Sequence, residues 1–275
     1  MNVCEIVLPP SKELRWRVYP IGDLHCDLKL FNEEKFRRYV AKIAADPHAV
    51  WVSVGDYLDG TTPDHKYFNP QVIADEILLN MDKYVNRVYE RLLKLFKPLQ
   101  GKPGIMLEGN HEKRGGLKWS GFVPALAREL GAEYLGYEGL ARILVRVAGR
   151  NSVTTLHVQH GSGGGRKPGA KINTFQDTTL ATADADIYIR GHTEDAMTRI
   201  LPIYSINHKG KPALVRNLKA WVTAAGFYGN RIQGINHYNA EKMMPSVDEG
   251  TFFLEIWDVQ NGGERKRSIQ RHEFI

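Results

Sequence analysis

The sequence predicts an α/β fold with a β-rich C-terminal part, on three observations. Short apolar, β-branched runs recur through the first two-thirds of the chain, and each ends in a polar cluster that contains glycine. Segments with apolar residues at helical spacing lie between those runs. Beyond Ala196 the helical spacing gives way to strands and turns. Alternation of this kind builds layered α/β structures.

Residues 15–21 read as a strand that runs into Gly22-Asp23-Leu24-His25. Asn32 can cap a helix over 33–45, which places Phe36, Val40, Ile43 and Ala44 on one face. Residues 49–54 are near-continuously apolar and lead into Gly55-Asp56, as suits a strand buried on both faces. A long helix is expected over 70–96, with Ile73, Ile77, Met81, Val85, Val88, Leu92 and Leu95 in register, Pro70 at its start and Pro98 beyond its end. Residues 104–107 form a strand into Glu108-Gly109-Asn110-His111, and Ser120 can cap a helix reaching Leu130. Residues 153–159 lead into His160-Gly161, and 186–189 into Gly191-His192. Strands over 250–259 and 266–274 flank Asn261-Gly262-Gly263, a hairpin signal. Neither a repeat nor a low-complexity linker interrupts the 275 residues, so one domain is expected, with its β-rich part from about 196 to 275.

The composition, 43% hydrophobic and 25% charged, is that of an ordinary globular protein. No apolar run approaches the roughly 18–20 residues of a membrane-spanning helix, and residues 1–10 lack the layout of a signal peptide. Two cysteines cannot build a disulfide framework, which points to a reducing, cytoplasmic (intracellular) setting. The net charge of +6 is unevenly spread: 139–176 and 196–240 each carry six basic residues and no carboxylate. Such stretches favour polyanionic partners such as nucleic acid; the plainer reading is a solvated surface.

The chemistry sits at five strand ends, which deliver Asp23 and His25, Asp56 and Asp59, Asn110 and His111, His160, and His192. Sites in α/β sheets form at the carboxyl ends of strands, so residues this far apart can converge. Carboxylates, imidazoles and an amide oxygen make a mixed ligand set that suits Mn, Fe, Zn or Ni, with Mg alone preferring oxygen. A glycine before each ligand lets the backbone turn sharply as it leaves the strand.

Taken in order, Gly22-Asp23-Leu24-His25, Gly55-Asp56-Tyr57-Leu58-Asp59, Gly109-Asn110-His111-Glu112, His160-Gly161 and Gly191-His192-Thr193 resemble the five motifs of the calcineurin-like metallophosphoesterases. The resemblance implies a four-layer α/β/β/α sandwich of two mixed β-sheets with metals at one edge. It implies two divalent metal ions, Mn foremost and Fe, Zn, Ni or Mg as alternatives. Asp23 and His25 would hold one, Asn110, His160 and His192 the other, and Asp56 would bridge both. His111 would donate a proton to the leaving oxygen, polarised by Asp59. A metal pair of this kind activates water and neutralises charge on the attacked phosphoryl group.

The sequence departs from the pattern at two points. Glu194 stands where the family's last motif has a second histidine; it either binds the first metal or weakens that site. Gly60 and Glu108 stand where the protein phosphatases of the family place arginines, which makes phosphoprotein a poor substrate. Other basic residues near the motifs, Lys113, Arg114, Arg166, Lys167 and Lys171, are candidates to bind substrate. The leading expectation is a phosphodiesterase or nuclease acting on nucleic acid. A phosphatase or phosphodiesterase for a nucleotide or another small molecule is the alternative, and a catalytically impaired binding module a third.

Overall fold

A computed structural model describes residues 1–10, 14–66, 68–113, 121–147, 150–162, 168–182, 184–193, 195–206, 212–229, 251–261 and 264–274. Two six-stranded mixed sheets face each other. One is formed by β2 (Arg15–Ile21), β3 (Ala49–Ser53), β4 (Gly104–Met106), β5 (Glu133–Tyr134), β11 (Thr251–Asn261) and β12 (Glu264–Phe274), in the order β12-β11-β2-β3-β4-β5. The other is formed by β1 (Asn2–Val7), β6 (Glu138–Val147), β7 (Arg150–Gln159), β8 (Ile187–Arg190), β9 (Met197–Ile206) and β10 (Leu214–Thr223), in the order β1-β6-β7-β8-β10-β9. The C-terminal strands therefore complete both sheets: β9 and β10 extend one, β11 and β12 the other.

Side-chain alternation along each strand explains the layers. Val50, Val52 and Val54 point between the sheets, where they pack with Val18, Ile105, Ile143, Leu156, Ile187 and Val222. On the other side of the first sheet, Trp51, Tyr19 and Met106 meet α1 (Glu33–Ala45), α3 (Tyr84–Phe96) and α4 (Phe122–Leu130) through Phe36, Ile43, Val88, Leu92 and Leu126. The outer face of the second sheet presents Tyr188 and Trp221 to Phe175 of α5 (Pro168–Ala181). Both faces of each central strand are covered, which is why those strands read as unbroken apolar runs. Each buried large aliphatic side chain contributes about 1.5–3 kcal/mol. The architecture is thus helix, sheet, sheet, helix.

Asn32 caps α1 as expected, accepting from Lys35 N at 3.1 Å. The long helix expected over 70–96 is broken. Only α2 (Asp75–Leu78), a 3-10 turn at Met81–Lys83 and α3 are helical. Lys29 N on Val72 O and Ala74 N on Asp27 O, both 2.8 Å, hold the preceding residues extended. Asn80, at φ −132°, then leaves the helical region. Helix α4 begins at Phe122 after Gly121; Ser120, the expected cap, lies outside the described residues. Among the described residues no helix is long and apolar enough to cross a membrane.

Candidate metal centre

Strands β2, β3 and β4 run parallel, as do β7, β8 and β10. Their carboxyl ends open at one edge of the sandwich, and the loops leaving them are tied together there. Leu24 N and His25 N both donate to Asp56 O, at 2.9 and 3.1 Å. Gly22 N donates to Ala225 O at 3.1 Å, and Phe227 N to Asp23 O at 3.0 Å. The chain after β10 thereby joins the site, with the Tyr228 ring 5.0 Å from that of His25.

Two groups of potential ligand atoms share Asp56. His25, Asp56 and His111 converge within 4.8 Å of one another, as do Asp56, His160 and His192. Asn110 Oδ1 lies 3.0 Å from His160 Nε2, on the side of the second group. Asp23 is buried and places Oδ1 3.3 Å from His192 N, between the two loops. His160 is oriented by Nδ1–H donating to Val54 O at 2.6 Å, which leaves Nε2 to face Asp56 Oδ2 at 3.4 Å.

His111 is held in the same way by a different part of Asp59 than expected. Its Nδ1 lies 2.8 Å from the Asp59 backbone carbonyl and 3.4 Å from the carboxylate Oδ1. The carbonyl accepts the Nδ1 proton, so Nε2 points into the site, 3.8 Å from Asp56 Oδ2.

The electrostatics follow from this crowding. Burial works against ionised Asp56, but the hydrogen bond and charge of His160, then His111 and His25, hold it well below the usual carboxylate range. Burial likewise opposes charge on His160, yet Asp56 outweighs it and raises His160 to about 9. His192 is lowered to about 4, first by burial and then by His160. One imidazole thus shares a proton with the central carboxylate while its neighbour stays neutral.

A divalent cation fits this arrangement. It would take the place of the proton between Asp56 and His160, as metals do when they displace protons from their ligands. Among the described residues, His192 Nδ1 is buried without a hydrogen-bond partner, as a ligand nitrogen would be. Backbone strain marks the same place: among the described residues, the non-glycine residues with positive φ are His25 (45°), Asp56 (52°) and His192 (65°). Such strain persists only where surrounding structure enforces it, and it gathers at functional sites.

Two carboxylates that sequence reasoning did not single out do the enforcing. Glu112 is buried and accepts from Tyr57 N and Gly109 N at 2.6 Å and from Asp56 N at 3.2 Å, so it clamps the Asp56 loop to the Asn110 loop. Asp27, fully buried, accepts from Asp59 N at 2.7 Å, Gly60 N at 3.4 Å and the Tyr84 hydroxyl. Both belong to the motifs or follow them directly, and a carboxylate at an apolar strand end was their signal. Gly55, before Asp56, has the positive φ of a sharp turn, at 99°, but Gly109 acts differently. Gly109 has no positive φ; it is needed because a Cβ there would lie 2.0 Å from Asp56 Oδ1.

Of the expected substrate-binding residues, Lys113 lies near the site, its Nζ 4.5 Å from the Tyr137 ring centre, and that ring sits 5.3 Å from His160. Arg114, Arg166, Lys167 and Glu194, and the side chain of Lys171, lie outside the described residues. Arg142 pairs with Glu5 of β1. The β9–β10 hairpin points away, because β10 runs parallel to β8 and its start, Leu214, is at the edge opposite the site. For Arg142, the carboxylate absent from its own stretch of sequence is supplied by the neighbouring strand.

A two-sheet sandwich with carboxylates, imidazoles and an amide converging at the ends of its parallel strands defines a metal-dependent phosphoesterase fold. The chain belongs to the calcineurin-like phosphoesterase family, whose model matches residues 17–195. No curated protein sequence matches it. Vacuolar Protein Sorting 29 from Cryptosporidium parvum is similar in structure at 12% identity and a TM-score of 0.38, over 95% of this chain and 100% of that one. A protein of unknown function from Aquifex aeolicus is similar at 14% identity and a TM-score of 0.27, over 65% of this chain and 79% of that one. Likenesses this distant say nothing about activity.

Proposed function

We propose that the protein hydrolyses phosphodiesters with two divalent metal ions, Mn foremost, and that its substrate is nucleic acid. The observation that carries the reading is Asp56, shared by two ligand groups that each hold imidazoles. Asp23, His25 and Asp56 would hold one ion, and Asp56, Asn110, His160 and His192 the other. When bound, such ions activate water and neutralise phosphoryl charge. The chain's own residues supply the rest. His111, its Nδ1 fixed on the Asp59 carbonyl, presents Nε2 to the site and can hold the proton that the leaving oxygen takes up. Burial opposes charge on Asp59, but His111 and His25 together outweigh it and keep the carboxylate ionised, which favours the protonated form of the His111 imidazole.

Lys113 beside Tyr137 supports a polyanionic substrate. Pairing of Arg142 with Glu5 favours the second reading, a nucleotide or other small ester, because it neutralises one of the basic residues that point to nucleic acid. Glu194 as a ligand for the first ion is part of the proposal; an impaired site is its rival.

The test measures metal content and bis-p-nitrophenyl phosphate hydrolysis with Mn, on the unmodified protein and on Glu194→His. Cleavage of single- or double-stranded DNA or RNA is measured alongside. Two metals per chain with turnover are expected. Activity in the histidine variant alone would overturn the enzymatic reading of this chain, and ester turnover without nucleic-acid cleavage would overturn the substrate.

A further inference from the structure

Arg190, the last residue of β8, is 5% exposed, yet among the described residues it has no carboxylate partner. Its hydrogen bond is one long contact, NH2 to Ser162 O at 3.4 Å, and its guanidinium carbon stands 5.6 Å from the centre of the Phe175 ring. Glu138, a carboxylate whose charge acts on Arg190, is engaged with His157 Nε2 at 2.8 Å. Proteins almost never leave a buried charge unpaired, because desolvation costs several kcal/mol that only an ion partner and full hydrogen bonding offset. A guanidinium carries five donors in a planar fork matched to the oxygens of a phosphate. Among the described residues, one of those donors has a hydrogen-bond partner.

The position gives that charge a purpose. Arg190 directly precedes Gly191 and His192, and it packs on Gly161, which directly follows His160. A Cβ added at Gly161 would lie 2.9 Å from the Arg190 NH2 nitrogen, so the absence of a side chain is what brings the loop this close. The Tyr137 hydroxyl donates to Gly161 O, and Lys113 covers the Tyr137 ring. A chain of neighbours therefore runs from Lys113 through Tyr137 and Gly161 to Arg190, flanking the two histidines that would hold the second metal.

We propose that Arg190 is the anchor of a second phosphate site beside the metal centre, one that takes a phosphate other than the one being hydrolysed. The inference rests on the phosphodiesterase reading and names the feature of the substrate that this site would recognise. Both a flanking phosphate of a nucleic-acid strand and free phosphate present the required oxygens.

The test titrates inorganic phosphate calorimetrically into Mn-loaded protein, unmodified and Arg190→Gln, and records thermal melting of both without phosphate. The unmodified protein is expected to show one more binding event than Arg190→Gln, whatever the metal centre itself contributes. The variant is expected to melt no lower than the unmodified protein, since an unpaired buried charge has been removed. Equal numbers of binding events would overturn the proposal. A variant that melts several degrees lower would overturn it too, because Arg190 would then be holding Ser162 as a structural residue. Arg190→Lys, which keeps charge but loses the fork, is expected to bind the extra phosphate about tenfold more weakly. A dithymidine substrate with and without a 5′-phosphate distinguishes the sources. A KM about tenfold lower with the 5′-phosphate, lost in Arg190→Gln, identifies a strand phosphate; equal KM values alongside the extra binding event identify free phosphate. Failure of the phosphodiesterase reading would show instead as absent metal or absent ester turnover, with the difference in binding events unaffected.

Discussion

Replacing Glu112 by glutamine exchanges one carboxylate oxygen for an amide N–H group at the centre of the clamp between two ligand loops. Oε1 accepts from Tyr57 N at 2.6 Å; Oε2 accepts from Gly109 N at 2.6 Å and Asp56 N at 3.2 Å. Whichever way the glutamine amide turns, its nitrogen faces at least one backbone N–H. One hydrogen bond to a charged acceptor is then lost, worth about 1.5–3 kcal/mol, and a buried donor is left unsatisfied, at about 1–3 kcal/mol. Removing a negative charge beside Asp56 offsets part of this, which leaves a net destabilisation of roughly 2–4 kcal/mol. Burial, and then the charge of Asp56, raise Glu112 to about 7, so the measurement belongs at pH 8, where the carboxylate is ionised. Urea unfolding can be followed by the fluorescence of the buried Trp16 and Trp51. A lower midpoint with an unchanged slope is expected, since the denatured state is not altered. Metal affinity should fall with it, because the clamp positions both Asp56 and Asn110. A loss below about 1 kcal/mol at pH 8 would refute the reasoning that three backbone donors depend on this carboxylate.

Three further outcomes can be checked. Gly109→Ala would drive a Cβ to 2.0 Å from Asp56 Oδ1 and 2.4 Å from Asp56 N; a stability loss of about 1–3 kcal/mol and a reduced metal content by elemental analysis are expected, and unchanged metal content would count against the close approach. His111→Asn should lower kcat on bis-p-nitrophenyl phosphate about 10²–10⁴-fold with metal content preserved; loss of one metal would instead make His111 a ligand, since it stands within reach of His25 and Asp56. Asp46 accepts from Tyr19 Oη at 2.7 Å, His48 N at 2.9 Å and Arg17 at 3.2 Å, and although burial opposes it, these partners lower its pKa below the ordinary 3.8. A lowered carboxylate stabilises above its unfolded pKa and loses that contribution as pH falls through the folded one. Asp46→Asn should therefore cost about 2–3 kcal/mol at pH 7, with the gap to the unmodified protein narrowing below pH 3.8; a gap independent of pH would exclude an ionised Asp46.

The sequence by itself determined the strands that carry the site. Residues 18–21, 49–52 and 104–106 are apolar on both faces because helices cover one side and a second sheet the other, and that double burial is written into each run. The candidate ligand residues stood out in the sequence because each follows one of these buried runs in a polar cluster. Strands β1 and β6 and helix α5 were not legible. β1 is largely exposed, and α5 lacks an apolar stripe, touching the sheet mainly through Phe175 and Ile172.

Only the tertiary structure decided what depends on neighbours distant in sequence. It broke the helix expected over 70–96, because hydrogen bonds to residues 27 and 29 hold its beginning extended. It gave Glu112 and Asp27 their roles, since backbone donors from the loops after β3 and β4 converge on them. It paired Arg142 with Glu5 of the neighbouring strand and carried the start of β10 to the edge opposite the site. Periodicity and burial are local and can be read from the order of residues; pairing of charge and satisfaction of buried polar groups are set by which strands the fold brings side by side.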